Sequence, residues 1–135
     1  MRGGKNQNLS YSSNDVAWST LDTNILATAA TNGVVSVWDL SKFGKQKQWL
    51  VYSDHERTAH AVTFHNTEVN TLISGSQDGT IKCFDTRSDK AVSTFYSNSE
   101  SVRDVKFSPH SNNLFSAVLE NGTVQLWDLR RYGWK

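Results

Sequence analysis

An all-β fold of about three four-stranded propeller blades is predicted by three features of the sequence. The first is an internal repeat. VAWSTLDTNILATAATNGVVSVWD from Val16, VTFHNTEVNTLISGSQDGTIKCFD from Val62 and VKFSPHSNNLFSAVLENGTVQLWD from Val105 align without a gap. The second is strict spacing. Trp18, Phe64 and Phe107 stand 46 and 43 residues apart, and Gly33, Gly79 and Gly122 repeat those intervals, as do Trp38, Phe84 and Trp127. The third is that the two aromatics of every unit are 20 residues apart, so all length variation falls between units, where loops belong. A period of roughly 40–45 residues with four strands per unit is the signature of a propeller blade.

The units cover about residues 14–52, 60–96 and 102–131 of a partial propeller spanning 1–135. Within each unit, small residues precede the central turn: Ala27, Ala29 and Ala30, then Ser74, Gly75 and Ser76, then Ser116 and Ala117. Small side chains at matched positions let neighbouring blades approach closely. The turns themselves are Asn32-Gly33, Asp78-Gly79 and Asn121-Gly122. Asx-Gly favours a two-residue hairpin of type I′, which needs positive φ at both central residues. The runs that follow, VSVWD, IKCFD and VQLWD, are β-rich, and alternation puts Val35 with Val37, Ile81 with Cys83 and Val124 with Leu126 on one face. Trp38, Phe84 and Trp127 point the other way, as expected of a blade sandwiched between two others. QWLVYS from Gln48 and AVSTFYS from Ala91 suit an outer fourth strand, which the third unit is too short to make. Pro109 fits a turn, and no segment has the period of a long amphipathic helix.

Composition narrows the function classes. Hydrophobic residues are 37% and charged residues 20%, globular rather than disordered. A net charge of +1 argues against nucleic acid as partner. One cysteine, Cys83, excludes an internal disulfide and a multi-cysteine zinc site and leans towards the cytosol. The amino-terminal MRGGKNQNLS has no apolar region of a secretory leader, and no run of 18 apolar residues suggests a membrane span.

Candidate chemistry is sparse. His55, His60 and His65 invite a metal reading, but His60 and His65 are an odd number apart and face opposite ways on a strand. The expectation is one blade histidine and two surface ones, with no metal or other cofactor. His55, Ser76 and Asp78 assemble a hydrolase triad on paper, yet nothing resembles a nucleophile elbow, so no catalytic residue is assigned and no enzyme is expected. Gly44-Lys45 lacks the upstream glycine of a phosphate-binding loop, that position being Asp39. Cys83 takes the place of Val37 and Leu126 and reads as a small core hydrophobe. Lys42, Lys45 and Lys47, and Arg130, Arg131 and Lys135, form two small basic clusters that read as solvated loops, with contact to an acidic partner as the alternative. Asn121-Gly122-Thr123 matches a glycosylation acceptor but is better explained as the hairpin turn. No partner-binding residues are singled out.

The landmark residues also carry a resemblance. Trp38-Asp39 and Trp127-Asp128 resemble the Trp-Asp dipeptide of WD repeats, and Phe84-Asp85 resembles a common variant of it. His55, nine residues before Phe64, is placed like that family's blade histidine, with Leu9 and Asn98 at the corresponding positions. The resemblance implies a network of this His with a strand Ser, a turn Asp and the Trp. Only the middle unit has His55, Ser74 or Ser76, and Asp78, and it lacks the Trp, so the blades are expected to rely more on packing than on that network.

LATAATNGVV, SGSQDG with KCFD, VSTF, SESVRDVKFS and ENGTVQLWDLRR, in that order between about Asn8 and Arg131, resemble the WD-repeat subunits of the second GATOR complex. That resemblance implies a protein-interaction scaffold that promotes TORC1 signalling in response to amino acids. Its partners would be other GATOR subunits, and its place the cytoplasmic side of the lysosomal surface, reached indirectly through the complex. The family also carries a helical solenoid and a zinc-binding RING, which these 135 residues lack, and the match fails at Tyr132 to Lys135. A general WD-repeat adaptor, such as a ubiquitin-ligase substrate receptor or a chromatin-complex subunit, is the alternative. Propellers close with about 4–8 blades, so about three should leave apolar faces open and make the isolated chain poorly soluble or oligomeric.

Overall fold

The computed structural model describes residues 12–130. Leu9, Arg131, Tyr132 and Lys135, and the amino-terminal segment read for a leader, lie outside them. Three antiparallel sheets follow one another along the chain. The first blade pairs β1 (Ser13–Trp18), β2 (Ile25–Ala30), β3 (Val35–Asp39) and β4 (Gln48–Tyr52) in that order. The second pairs β5 (Ala59–Phe64), β6 (Thr71–Ser76), β7 (Thr80–Asp85) and β8 (Ala91–Tyr96). The third pairs β9 (Val102–Phe107), β10 (Leu114–Leu119) and β11 (Val124–Asp128), three described strands. The inner strands β1, β5 and β9 lie beside one another, so the blades fan out from a common edge. This is an all-β fragment of a propeller whose sheets do not close into a ring. A single turn of 3-10 helix, Gly44–Lys47, sits in the β3–β4 connection, where no helical turn was expected.

The central turns differ in type from the expectation. Only the glycines have positive φ, 88°, 83° and 88° at Gly33, Gly79 and Gly122, while Asn32, Asp78 and Asn121 do not. The Gly33 amide donates to the Ala30 carbonyl at 3.0 Å, Gly79 to Ser76 at 3.1 Å and Gly122 to Leu119 at 2.9 Å. That pattern is a three-residue loop, a turn closed by a left-handed glycine, rather than type I′. The Asx side chain explains the preference. Asn32 Oδ1 accepts the Val34 amide at 3.1 Å, Asp78 Oδ1 the Thr80 amide at 2.9 Å and Asn121 Oδ1 the Thr123 amide at 3.0 Å. Each Asx residue thus caps its own loop from an ordinary backbone conformation.

Two apolar cores lie between the blades. Ala27, Ala29, Val35 and Val37 of the first blade pack against Val62, Phe64, Leu72 and Phe84 of the second. Ile73, Ile81, Cys83 and Phe95 of the second pack against Val105, Phe115, Ala117 and Trp127 of the third. Phe95 meets Phe115 and Trp127 edge to face, with ring centroids 5.3 and 5.4 Å apart. The expected burial of both faces of each third strand holds only where a neighbour exists. Val124 and Leu126 are 60% and 53% exposed, whereas their counterparts Val35, Val37, Ile81 and Cys83 are buried. At the other end Val16 and Trp18 are 55% and 56% exposed, although Val62 and Phe64 are buried. Position in the repeat sets which side chain faces the neighbour, and presence of the neighbour sets whether it is covered.

Gly75 sits at the closest approach of the second and third blades. A Cβ built there would lie 2.6 Å from Val102 Cγ1 and 3.2 Å from Val105 Cγ1. Val102 is fully buried and β-branched, so it cannot rotate away freely. Gly75→Ala is expected to lower stability by about 1–3 kcal/mol, the range for overpacking a core. Val102→Ala in the same chain should recover part of that loss. Urea melts of the two single variants and the double variant measure this coupling, and additive losses would show that the two residues do not clash.

Candidate functional site

The second blade holds the densest polar network of the described residues. Asp78, on the β6–β7 turn, accepts the His55 Nδ1–H at 3.1 Å and the Glu56 amide at 3.0 Å on Oδ2. Its Oδ1 also accepts the Thr80 hydroxyl at 2.5 Å. A carboxylate can only accept, so Nδ1 carries a proton, and Nε2 shares a hydrogen bond of 2.6 Å with the Ser74 hydroxyl. Burial opposes ionisation of Asp78, but the bonds from His55, Thr80 and the Glu56 amide together hold its carboxyl well below the usual carboxylate range. Phe84 stands where the Trp would be and meets the His55 ring edge on, with centroids 6.5 Å apart. The network of His55, Ser74 and Asp78 therefore forms without the Trp. The other units keep remnants: Trp38 Nε1–H donates to Thr28 at 3.1 Å, and Trp127 Nε1–H to Gln125 at 3.0 Å.

Ser74, not Ser76, is the serine of the network. Ser76 donates instead to the Thr58 carbonyl at 2.9 Å and receives the Asp78 amide at 3.0 Å. Asp78, His55 and Ser74 thus stand in the order of a hydrolytic triad, but Ser74 and Ser76 are fully buried, so no substrate reaches either hydroxyl. The arrangement holds the β6–β7 turn against the second strand of its blade. The landmark aspartates at the strand ends act locally too. Asp85 clasps Arg87 through both carboxylate oxygens, at 2.9 and 2.6 Å, and Asp128 clasps Arg130 at 3.0 and 2.8 Å. Asp39, in the same place, binds the Ser41 hydroxyl at 2.6 Å.

Residues the sequence did not mark tie the blades together. Asp15 Oδ2 accepts the Val62 amide at 3.1 Å, and Asn14 donates to the Ala59 carbonyl at 3.2 Å. Tyr52 is buried with its hydroxyl 3.0 Å from both the Asp85 and Ser88 carbonyls, and burial, aided by Asp85, pushes its pKa to about 12. Asn66 donates to the Ser108 carbonyl at 2.7 Å. His65, expected at the surface, is buried. Its Nδ1 accepts the Thr67 and Glu68 amides, each at 3.0 Å, so its Nε2 donates across to the Asn112 carbonyl of the third blade. It lies one residue beyond β5, so strand alternation does not govern its direction.

His60 is half-buried and accepts from Arg103 at 3.2 Å, and Arg103 also lies 3.4 Å from Glu120. With His55 and His65 each engaged by protein groups, the three histidines do not converge, and among the described residues no three His, Cys, Asp or Glu side chains gather as metal ligands. Cys83 is buried in the core between the second and third blades, and burial pushes its thiol up to about 11, the opposite of a reactive thiolate. Among the described residues no helix is long and apolar enough to cross a membrane, which says nothing of crossing by strands.

Two surface features remain for partners. The β3–β4 loop carries Phe43, 84% exposed, among Lys42, Lys45 and Lys47. Lys47 bonds the Lys42 carbonyl at 2.6 Å and lies 5.9 Å from the Phe43 ring centroid, so the loop has an ordered apolar tip set in positive charge. Of the second basic cluster, Arg130 is already paired with Asp128. The other is the pair of blade faces that have no neighbouring blade among the described residues.

The chain matches the model of the family described as WD domain, G-beta repeat, over residues 46–85 and 89–128. It is 82% identical over 108 residues to GATOR2 complex protein Wdr24 of Drosophila melanogaster, a match covering 80% of this chain and 14% of that protein. It is 51% identical over 131 residues to GATOR2 complex protein WDR24 of Homo sapiens, covering 97% of this chain and 17% of that protein. It is also 42% identical over 113 residues to Restriction of telomere capping protein 1 of Candida albicans, covering 78% of this chain and 10% of that protein. The chain thus spans about a sixth or less of the length of these curated relatives.

Proposed function

The chain belongs to the WD domain, G-beta repeat family, and on that premise we propose that it is a non-catalytic scaffold acting within a GATOR2-type complex. The observation that carries this reading is similarity to GATOR2 complex protein WDR24 over nearly the whole chain, 97% of it for the human relative. The geometry fits a scaffold. The triad-like cluster of the described residues is sealed inside a blade, while the exposed Phe43 loop offers a surface for contact. In this reading the chain supports TORC1 signalling in response to amino acids, works at the lysosomal surface through its complex, and meets membrane only by way of partners.

An affinity-tagged chain expressed in cultured Drosophila cells is expected to recover GATOR2 subunits, each enriched at least several-fold over a tag control. Recovery of ubiquitin-ligase or chromatin-complex subunits in their place would favour the general adaptor. Absence of GATOR2 subunits from a folded, well-expressed chain would overturn the assignment.

A further inference from the structure

A β-bulge recurs at one place in all three inner strands. Pairing shifts register between Ser13 and Asp15 of β1 and between Ala59 and Ala61 of β5. On β9 it shifts between Val102, which pairs with Leu119, and Asp104, which pairs with Val118. The extra residues are Asn14, His60 and Arg103, spaced at the repeat's own intervals of 46 and 43. A bulge re-aims the side chain it frees. At both internal junctions the re-aimed side chain ties one inner strand to the next. Asn14 donates to the Ala59 carbonyl at 3.2 Å, and Arg103 donates to His60 Nε2 at 3.2 Å. The first tie is made by an amide, which does not titrate. The second is made by a histidine, which does.

The geometry fixes the state of His60. A guanidinium has donors only, so Nε2 must offer a lone pair, and the ring is neutral in this bond. A proton on Nε2 would set N–H against N–H and bring two positive charges together. Glu120, on the β10–β11 turn, lies 3.4 Å from Arg103 and can hold the guanidinium once it leaves the ring. Other carboxylates on the flanking strands are engaged elsewhere. Asp15 of β1 accepts the Val62 amide, and Asp104 of β9 accepts that of Val105. Strands β2 and β6 hold no charged residue. Burial and the Arg103 charge hold His60 below the ordinary histidine value of 6.5, with Glu120 opposing them. The folded chain thus binds this proton less tightly than the unfolded chain does. The stabilisation is complete above 6.5 and fades as pH falls below it.

We propose that the His60–Arg103 tie is an acid-sensitive latch. Protonation of His60 releases Arg103 to Glu120 and loosens the inner edge between the second and third blades, while the Asn14 tie between the first and second holds. The latch does not depend on the GATOR2 reading, and each stands or falls without the other.

His60→Gln keeps an acceptor near the place of Nε2 but cannot titrate. Urea melts of the two chains at about pH 7.5 and about pH 5.5 bracket the ordinary histidine range. Between them the unfolding equilibrium constant of the parent should rise a few-fold more than that of His60→Gln. The other histidines and the carboxylates are common to both chains and cancel in the comparison. Arg103→Met removes the donor and keeps a long stem. In that background the difference made by His60→Gln should shrink to what burial alone imposes. Equal acid losses in the parent and His60→Gln would overturn the proposal, as would a difference that Arg103→Met leaves unchanged.

Discussion

Phe84→Ala is expected to lower stability by about 3–5 kcal/mol, the range for deleting a large aromatic from a well-packed core. Phe84 is fully buried in the core between the first and second blades. Its ring lies 4.4 Å from that of Tyr52, centroid to centroid, and meets the His55 ring edge on. The vacated space would border both blades and the polar network, so little can collapse to fill it. A domain of ordinary stability holds only about 5–15 kcal/mol, so this one change takes a large share. Trp38 supplies the contrast. It has the family's more typical residue at the same repeat position, yet it lies half-exposed on the open face of the first blade. At concentrations that keep the chain monomeric, Trp38→Ala should cost about 1 kcal/mol or less. Urea denaturation of both variants tests the ranking, and equal losses would mean that the first blade's outer face is covered in the monomer.

That reversal shows where sequence was sufficient and where it was not. The repeat was legible because one backbone plan recurs: the 20-residue spacing between aromatics and the Asx-Gly pairs fix strand, turn and facing direction in each unit. Burial was not legible at the ends, because Val124 and Val35 carry the same local pattern and differ only in having a neighbour. The inter-blade ties were hidden for a related reason. Asp15 with Val62 and His65 with Asn112 each span 47 residues, and no local pattern marks either partner. Turn type was misread because Asx-Gly serves two loops, and only the φ of the Asx residue separates them. Ser74 and Ser76 could not be told apart by alternation, since both are even positions of one strand. Ser74 pairs with Val62 in regular register, whereas Ser76 pairs with Ala59 across a register shift between Ala59 and Ala61.

The network around Ser74 gives the other large effect. Asp78→Ala would strip acceptors from His55, the Glu56 amide, and the Thr80 amide and hydroxyl, leaving the buried His55 ring N–H only the Thr80 hydroxyl, 3.2 Å away. Unsatisfied buried donors cost about 1–3 kcal/mol apiece, partly offset where water can enter, so a loss of about 3 kcal/mol is expected. The same carboxylate makes stability depend on pH. Its pKa in the folded chain lies below the ordinary value of 3.8, so the folded state binds its proton less tightly than the unfolded state does. The stabilisation is fully present above that value and is lost as pH falls through it towards the lower folded value. Asp39 and Asp85 are lowered by Ser41 and Arg87, but both sites are largely open to solvent and should contribute little in the same window. Asp78→Asn separates the contributions, since the amide keeps the shape and loses the charge. Melting temperatures of parent and variant should therefore differ most near neutral pH and draw together under acid conditions. A gap that stays constant from neutral pH down to about pH 2, below the unfolded carboxylate range, would show that the Asp78 charge does not hold the turn.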